Sequence, residues 1–184
     1  MDMQVYSLHV IPVTIIFYGV FILFMRPPLK VAAATLIGGL VMALLNLLGD
    51  VIAIHASLWY YSASGLVAQL PLPFYTTPLF ITGGLAYFLI WRFWHSSNHW
   101  FAWLLLIGVP IFGFLSDLYQ GVLSTQNSFL LWKSPLAWLA NLVLWGVMFF
   151  AGYFVFQRIA PARQQATQQV SAQADASAVV DNQK

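Results

Sequence analysis

Five stretches of the chain, 8–25, 29–49, 73–91, 100–119 and 135–157, are nearly unbroken runs of apolar residues. Each approaches the ~20 residues that an α-helix needs to cross the hydrocarbon of a bilayer. Five such runs in 184 residues, 61% of them hydrophobic and 7% charged, exceed what one small soluble core can enclose. The expected fold is an all-α, polytopic transmembrane helical bundle of about five spans over residues 1–159, with the lipid bilayer as its solvent. From 160 to 184 the chain turns to Gln, Ala and Ser without an aromatic residue, a composition expected to form a disordered tail.

Connections set the topology. Pro27 and Pro28 remove two amide donors in a row, which breaks the helix and predicts a tight hairpin between the first two spans. Arg26 and Lys30, Arg92, and Arg158 with Arg163 fall on one set of connections, and Lys133 alone falls on the other. Cations collect on the cytoplasmic side, so the N-terminus is expected outside and the C-terminus inside the cell membrane. Asp2 precedes the first apolar run without any Lys or Arg, so the basic start of a cleavable signal is missing and 8–25 reads as a retained helix. The 50–72 segment is nearly long enough to span but carries Asp50, His55 and several serines. It is expected to form a helix at the outer interface, with Trp59, Tyr60 and Tyr61 holding rings in lipid and polar ends in water. Entry of 50–72, and of 120–134, into the bilayer would raise the count to six or seven.

Several chemistries are excluded at this point. A net charge of +2 from scattered residues is no basic patch, which argues against nucleic acid as a partner. The chain has no Cys, so thiolate metal sites and Cys nucleophiles are absent. Nucleotide loops, HExxH helices and GxSxG elbows are missing, and no pattern asks for a cofactor. His95 and His99 stand four apart without a third ligand, so no metal is expected there. Most Trp and Tyr residues near the span ends read as interfacial belts. Ala34 with Gly38, and Gly39 with Ala43, place small residues one turn apart and invite close helix packing. Pro110 predicts a kink in the fourth span.

Charges at membrane depth are costly and therefore candidate functional groups. Asp50 at the end of the second span and Asp117 near the end of the fourth fall on the same side, together with His9 and His55. Asn46 precedes Asp50 by one helical turn and shares its face, and Asn141 adds an amide near the outer end of the fifth span. Asp50, Asp117 and His55 are the candidate catalytic residues. The bland alternative is that the two acids mark helix ends at the water interface.

The stretch 46–80, NLLGDVIAIHASLWYYSASGLVAQLPLPFYTTPLF, resembles the acid, aromatic and proline order of the carotenoid-biosynthesis membrane proteins, including the lycopene cyclase domains. Asp50, then Trp59 and Tyr60, then Leu70, Pro71 and Pro73 carry the resemblance. It implies an acid that protonates an apolar polyene and aromatic faces that stabilise a carbocation. Asn46, Trp59, Tyr60, Tyr75 and Asn141 are then candidate ligand-binding residues for an apolar isoprenoid. Phe74, Tyr75, Thr76 and Thr77 stand where that family carries paired acids, so cyclisation by the family's route is not expected. Two other readings remain at this point. One is a proton or cation transporter using Asp50 and Asp117, for which five helices require a homo-oligomer; the other is an accessory membrane subunit.

Overall fold

The computed structural model describes residues 3–94, 96–123 and 129–160, and among them five helices are long and apolar enough to cross a membrane. The first two are α1 (Met3–Met25) and α2 (Leu29–His55). Between them Arg26 turns at a positive φ of 45°, and the Pro28 carbonyl accepts the amides of Val31 and Ala32 to start α2. The expected Pro-Pro hairpin is therefore present. The third span, α3 (Leu72–Trp94), changes pitch along its length: a 3₁₀ turn at Leu72–Tyr75, a wide π-helical stretch at Pro78–Leu85, then α-helix from Ala86 to Trp94. The fourth, α4 (His99–Leu118), carries Pro110 in its interior and widens into a π turn at Tyr119–Leu123. The fifth is α5 (Ala137–Ile159).

Two expectations need correction. First, α2 does not end at Asp50 but continues through His55, which sets Asp50 inside the helix, more than a turn from its end. Second, 56–71 contains no helix. Its residues Trp59–Tyr61 form a strand, β1, antiparallel to β2 (Leu130–Trp132), with Trp59 opposite Trp132 and Tyr61 opposite Leu130. Three aromatic residues in succession suit a pleated, half-buried surface better than a helix. Among the described residues this β-pair is the one two-stranded sheet, and it lies across the end where α2 finishes and α5 begins. The Leu58 amide is bonded to the Ala53 carbonyl and the Lys133 amide to the Leu58 carbonyl, so the pair is tied to α2. Of the expected tail, 160–184, all but Ala160 lies outside the described residues, as does His95.

Packing follows the small residues. A Cβ on Gly38 would meet the Gly152 carbonyl oxygen of α5 at 2.8 Å and Phe156 at 2.9 Å, and one on Gly39 would collide with the Leu79 carbonyl oxygen of α3. The backbones of α5 and α3 therefore sit directly on α2, as the glycine spacing predicts. Tyr87 of α3 is buried in the middle of this core and donates to the Phe149 carbonyl oxygen of α5 at 2.7 Å. Helix α1 is peripheral: Tyr18 donates to Thr35 at 2.6 Å, while Thr35 in turn donates to Ala32. The outward faces of α1, α2, α4 and α5 carry exposed large apolar side chains such as Phe24, Leu29, Leu44, Phe112 and Phe154. So much continuous apolar surface requires lipid contact, which makes the chain a multi-pass membrane protein.

Candidate functional site

Beneath the β-pair, Asp50 is 2% exposed. Burying a carboxylate is costly unless donors replace its water. Here three do: Trp59 Nε1 donates to Oδ1 at 3.1 Å, and the hydroxyls of Tyr61 and Tyr75 donate to Oδ2 at 2.8 and 2.7 Å. Trp59 and Tyr61 come from β1, where residues two apart share a face, and Tyr75 comes from the 3₁₀ turn that opens α3. One side chain of α2 thus holds together the cap and the third span. Asp50 has only acceptors to offer here, which fits an ionised carboxylate.

Asp117 is arranged differently. Asn141 Nδ2 and Trp145 Nε1, one turn apart on α5, both donate to the same oxygen, Oδ2, at 3.1 and 2.7 Å. No hydrogen bond from the described residues reaches Oδ1. Gly113, one turn earlier on α4, lets the Trp145 indole lie against the helix backbone. Asn141 is 3% exposed, and its own Oδ1 is buried without a partner. All five donors to the two acids are neutral, and among the described residues no Lys or Arg is bonded to either acid.

The two acids belong to one electrostatic neighbourhood, and Tyr61 reports it. Burial, followed by the nearness of Asp50, Tyr75 and Asp117, all of them acidic groups, pushes the Tyr61 phenol well above its ordinary range. Further rings extend the aromatic wall, with Phe129 5.0 Å from Tyr61 and Phe74 5.4 Å from Phe129, centroid to centroid.

Of the residues expected at a site, the structure gathers Asp50, Trp59 and Tyr75 into one cluster and Asp117 and Asn141 into its neighbour. His55 stands apart. Exposed at the end of α2, it donates through Nδ1 to the Val51 carbonyl at 2.8 Å and lines a separate shallow pocket with Ala68, Gln69 and Leu70. His9 is likewise exposed and bonded to Val5 on its own helix. Asn46 is half-buried one turn before Asp50, with no hydrogen bond joining the two. Tyr60 points away from the acids and lies under Lys133, whose Nζ is 4.7 Å from the ring centroid.

Sequence reasoning missed Tyr61 and Trp145 as partners of the acids. Reading WYY as a strand would have placed 59 and 61 on one face, and the four-residue step from Asn141 would have brought in Trp145.

A separate groove of about 390 Å³ lies between α3 and α4. Leu85, Leu89, Leu105, Gly108 and Phe112 are among its walls, and Thr82 supplies its one side-chain hydroxyl. No family model matches the chain, and no curated protein or solved structure does either.

Proposed function

We propose that this multi-pass protein resides in the cell membrane, N-terminus outside and C-terminus inside, and binds a long apolar molecule of isoprenoid type between its helices. The observation that carries the reading is the groove between α3 and α4. Its walls are apolar, it opens to the surface, and the outer face of α4 beside it is apolar and exposed, so an apolar chain can enter sideways from lipid without crossing water. Cavities of this volume suit a flexible hydrocarbon segment rather than a single water.

The cluster at the capped end supports the same reading. An acid surrounded by Trp59, Tyr61 and Tyr75 is a negative, aromatic-walled environment of the kind that stabilises positive charge on an apolar ligand. The acid, aromatic and proline order of 46–80 agrees with it. Orientation is supported by Arg26, Arg92 and Arg158, which fall at the end of the bundle opposite the cap, and by Lys133 at the cap itself.

Expression in cells that accumulate a polyene, followed by purification and pigment analysis, tests the reading. Gly108 lines the groove, and a Cβ there meets only Leu104 at 4.0 Å, so Gly108→Phe fills the space without straining the helix. Polyene should co-purify with the wild type and fall at least ~10-fold in the variant, a loss of about 1.4 kcal/mol in binding. A wild type that carries no polyene and leaves the pigments unchanged overturns it.

A further inference from the structure

The two acids differ in one respect that hydrogen bonding alone exposes. Asp50 receives donors on both oxygens. Asp117 receives two donors on Oδ2 and none from the described residues on Oδ1. Beside it, the Asn141 amide has spent its NH₂ group on Asp117 and leaves Oδ1, a strong acceptor, buried without a donor. Flipping that amide does not help, because it would set a carbonyl oxygen against a carboxyl oxygen. A side chain 97% out of contact with solvent should not leave an acceptor unmet, since the cost is about 1–3 kcal/mol.

We propose that Asp117 holds a proton on Oδ1, shared with the Asn141 carbonyl oxygen directly or through one water, while Asp50 holds the negative charge. One proton converts Asp117 from an acceptor into a donor on the side that lacks one. Oδ2 then becomes the carbonyl oxygen of a neutral carboxyl group and keeps its bonds from Asn141 and Trp145. The other titratable groups at this end include Asp50 of α2, Tyr61 of β1 and Tyr75 of α3, with His9, His55, Tyr60 and Tyr119 exposed around them. None of the first three offers positive charge, and Lys133 is turned to Tyr60. A second carboxylate at this end would therefore stand without a counter-ion, whereas a neutral carboxyl group needs none. Two acids whose surroundings separate their protonation states form a donor and a fixed anion. The site is thus a stored proton with a counter-charge at the same capped end, and it is read from hydrogen bonds independently of the apolar groove.

Infrared spectroscopy of the purified full chain in lipid nanodiscs at neutral pH tests this directly. A protonated carboxyl group gives a carbonyl stretching band distinct from those of carboxylates and amides. That band should be present in the wild type, be lost in Asp117→Asn and persist in Asp50→Asn. Trp145→Phe removes one donor from Oδ2 and should shift the band to higher frequency, so it identifies the same group even if Asp117→Asn does not fold. Absence of the band in the wild type overturns the proposal, as does its loss in Asp50→Asn alone. A carboxylate band that vanishes in Asp117→Asn and moves on addition of sodium shows a cation at Asp117 and also overturns it. Because the readout contains no ligand, failure of polyene binding leaves it untouched.

Discussion

Tyr60 and Tyr61 are adjacent and chemically identical, yet only Tyr61 donates to Asp50, because alternation along β1 sends neighbouring side chains to opposite faces. The contrast is measurable. Tyr61→Phe and Tyr75→Phe each remove a hydrogen bond to a charged acceptor, a loss of about 1.5–3 kcal/mol. Tyr60→Phe keeps the ring beneath Lys133 and should cost under ~0.5 kcal/mol. Unfolding in mixed micelles, followed by tryptophan fluorescence, ranks the three.

Tyr61 also predicts a pH effect. Its phenol titrates well above the ordinary range in the folded chain and near the ordinary value of about 10 when unfolded. The folded state therefore holds the proton longer, and the associated stability is present below about pH 10 and lost as pH rises toward the folded value. Stability of the wild type should fall more steeply above about pH 10 than that of Tyr61→Phe. Equal slopes in the two alkaline unfolding series would remove Tyr61 as the cause. Sequence pattern located both acids, since charge within an apolar run is conspicuous. It did not locate their donors, because indoles and phenols near a span end look the same whether they face an interface or a buried carboxylate.

At the scale of elements, the glycines of α2 were legible and the pitch of α3 was not. Small residues one turn apart announce a close backbone contact on whichever helix carries them, and Gly38 and Gly39 make theirs with α5 and α3. The π-helical stretch Pro78–Leu85 depends on how the chain fits against α2 at Gly83 and Gly84, a tertiary fact that no apolar run encodes. The β-pair was hidden for a similar reason. Its strands are three residues each and lie some seventy residues apart in sequence, so neither carries enough period-two signal to be read alone. Two substitutions separate contact from helix propensity. Gly39→Ala drives a methyl group into the Leu79 carbonyl and should destabilise by about 1–3 kcal/mol, as overpacked cores do. Gly146→Ala meets nothing within 4 Å and should stabilise α5 by about 0.5–1 kcal/mol. Thermal unfolding of both in the same detergent gives shifts of opposite sign; a shared sign means that propensity, not the α2–α3 contact, dominates.

For the whole molecule, span count was legible because length and hydropathy are properties of each segment by itself. Of the two ambiguous segments, 50–72 and 120–134, the first decides most: Asp50 belongs to a helix that continues to His55 and the rest forms a strand and loop across the bundle end. That placement fixes the parity of every later segment. With five spans, the cap that contains Ser64 and the turn that contains Ser97 lie at opposite ends of the bundle. With a sixth span through 50–72, the turn at Ser97 would change sides. The absence of Cys from the chain makes this decidable, since a single introduced thiol is the only one present. Ser64 and Ser97 are both exposed. In intact cells a membrane-impermeant maleimide should label Ser64→Cys readily and Ser97→Cys only after the membrane is permeabilised, by the excess of cations at the Ser97 end. Labelling of Ser97→Cys alone in intact cells inverts the orientation while preserving five spans. Labelling of both without permeabilisation breaks the five-span arrangement itself, and with it the common end on which Asp50 and Asp117 meet.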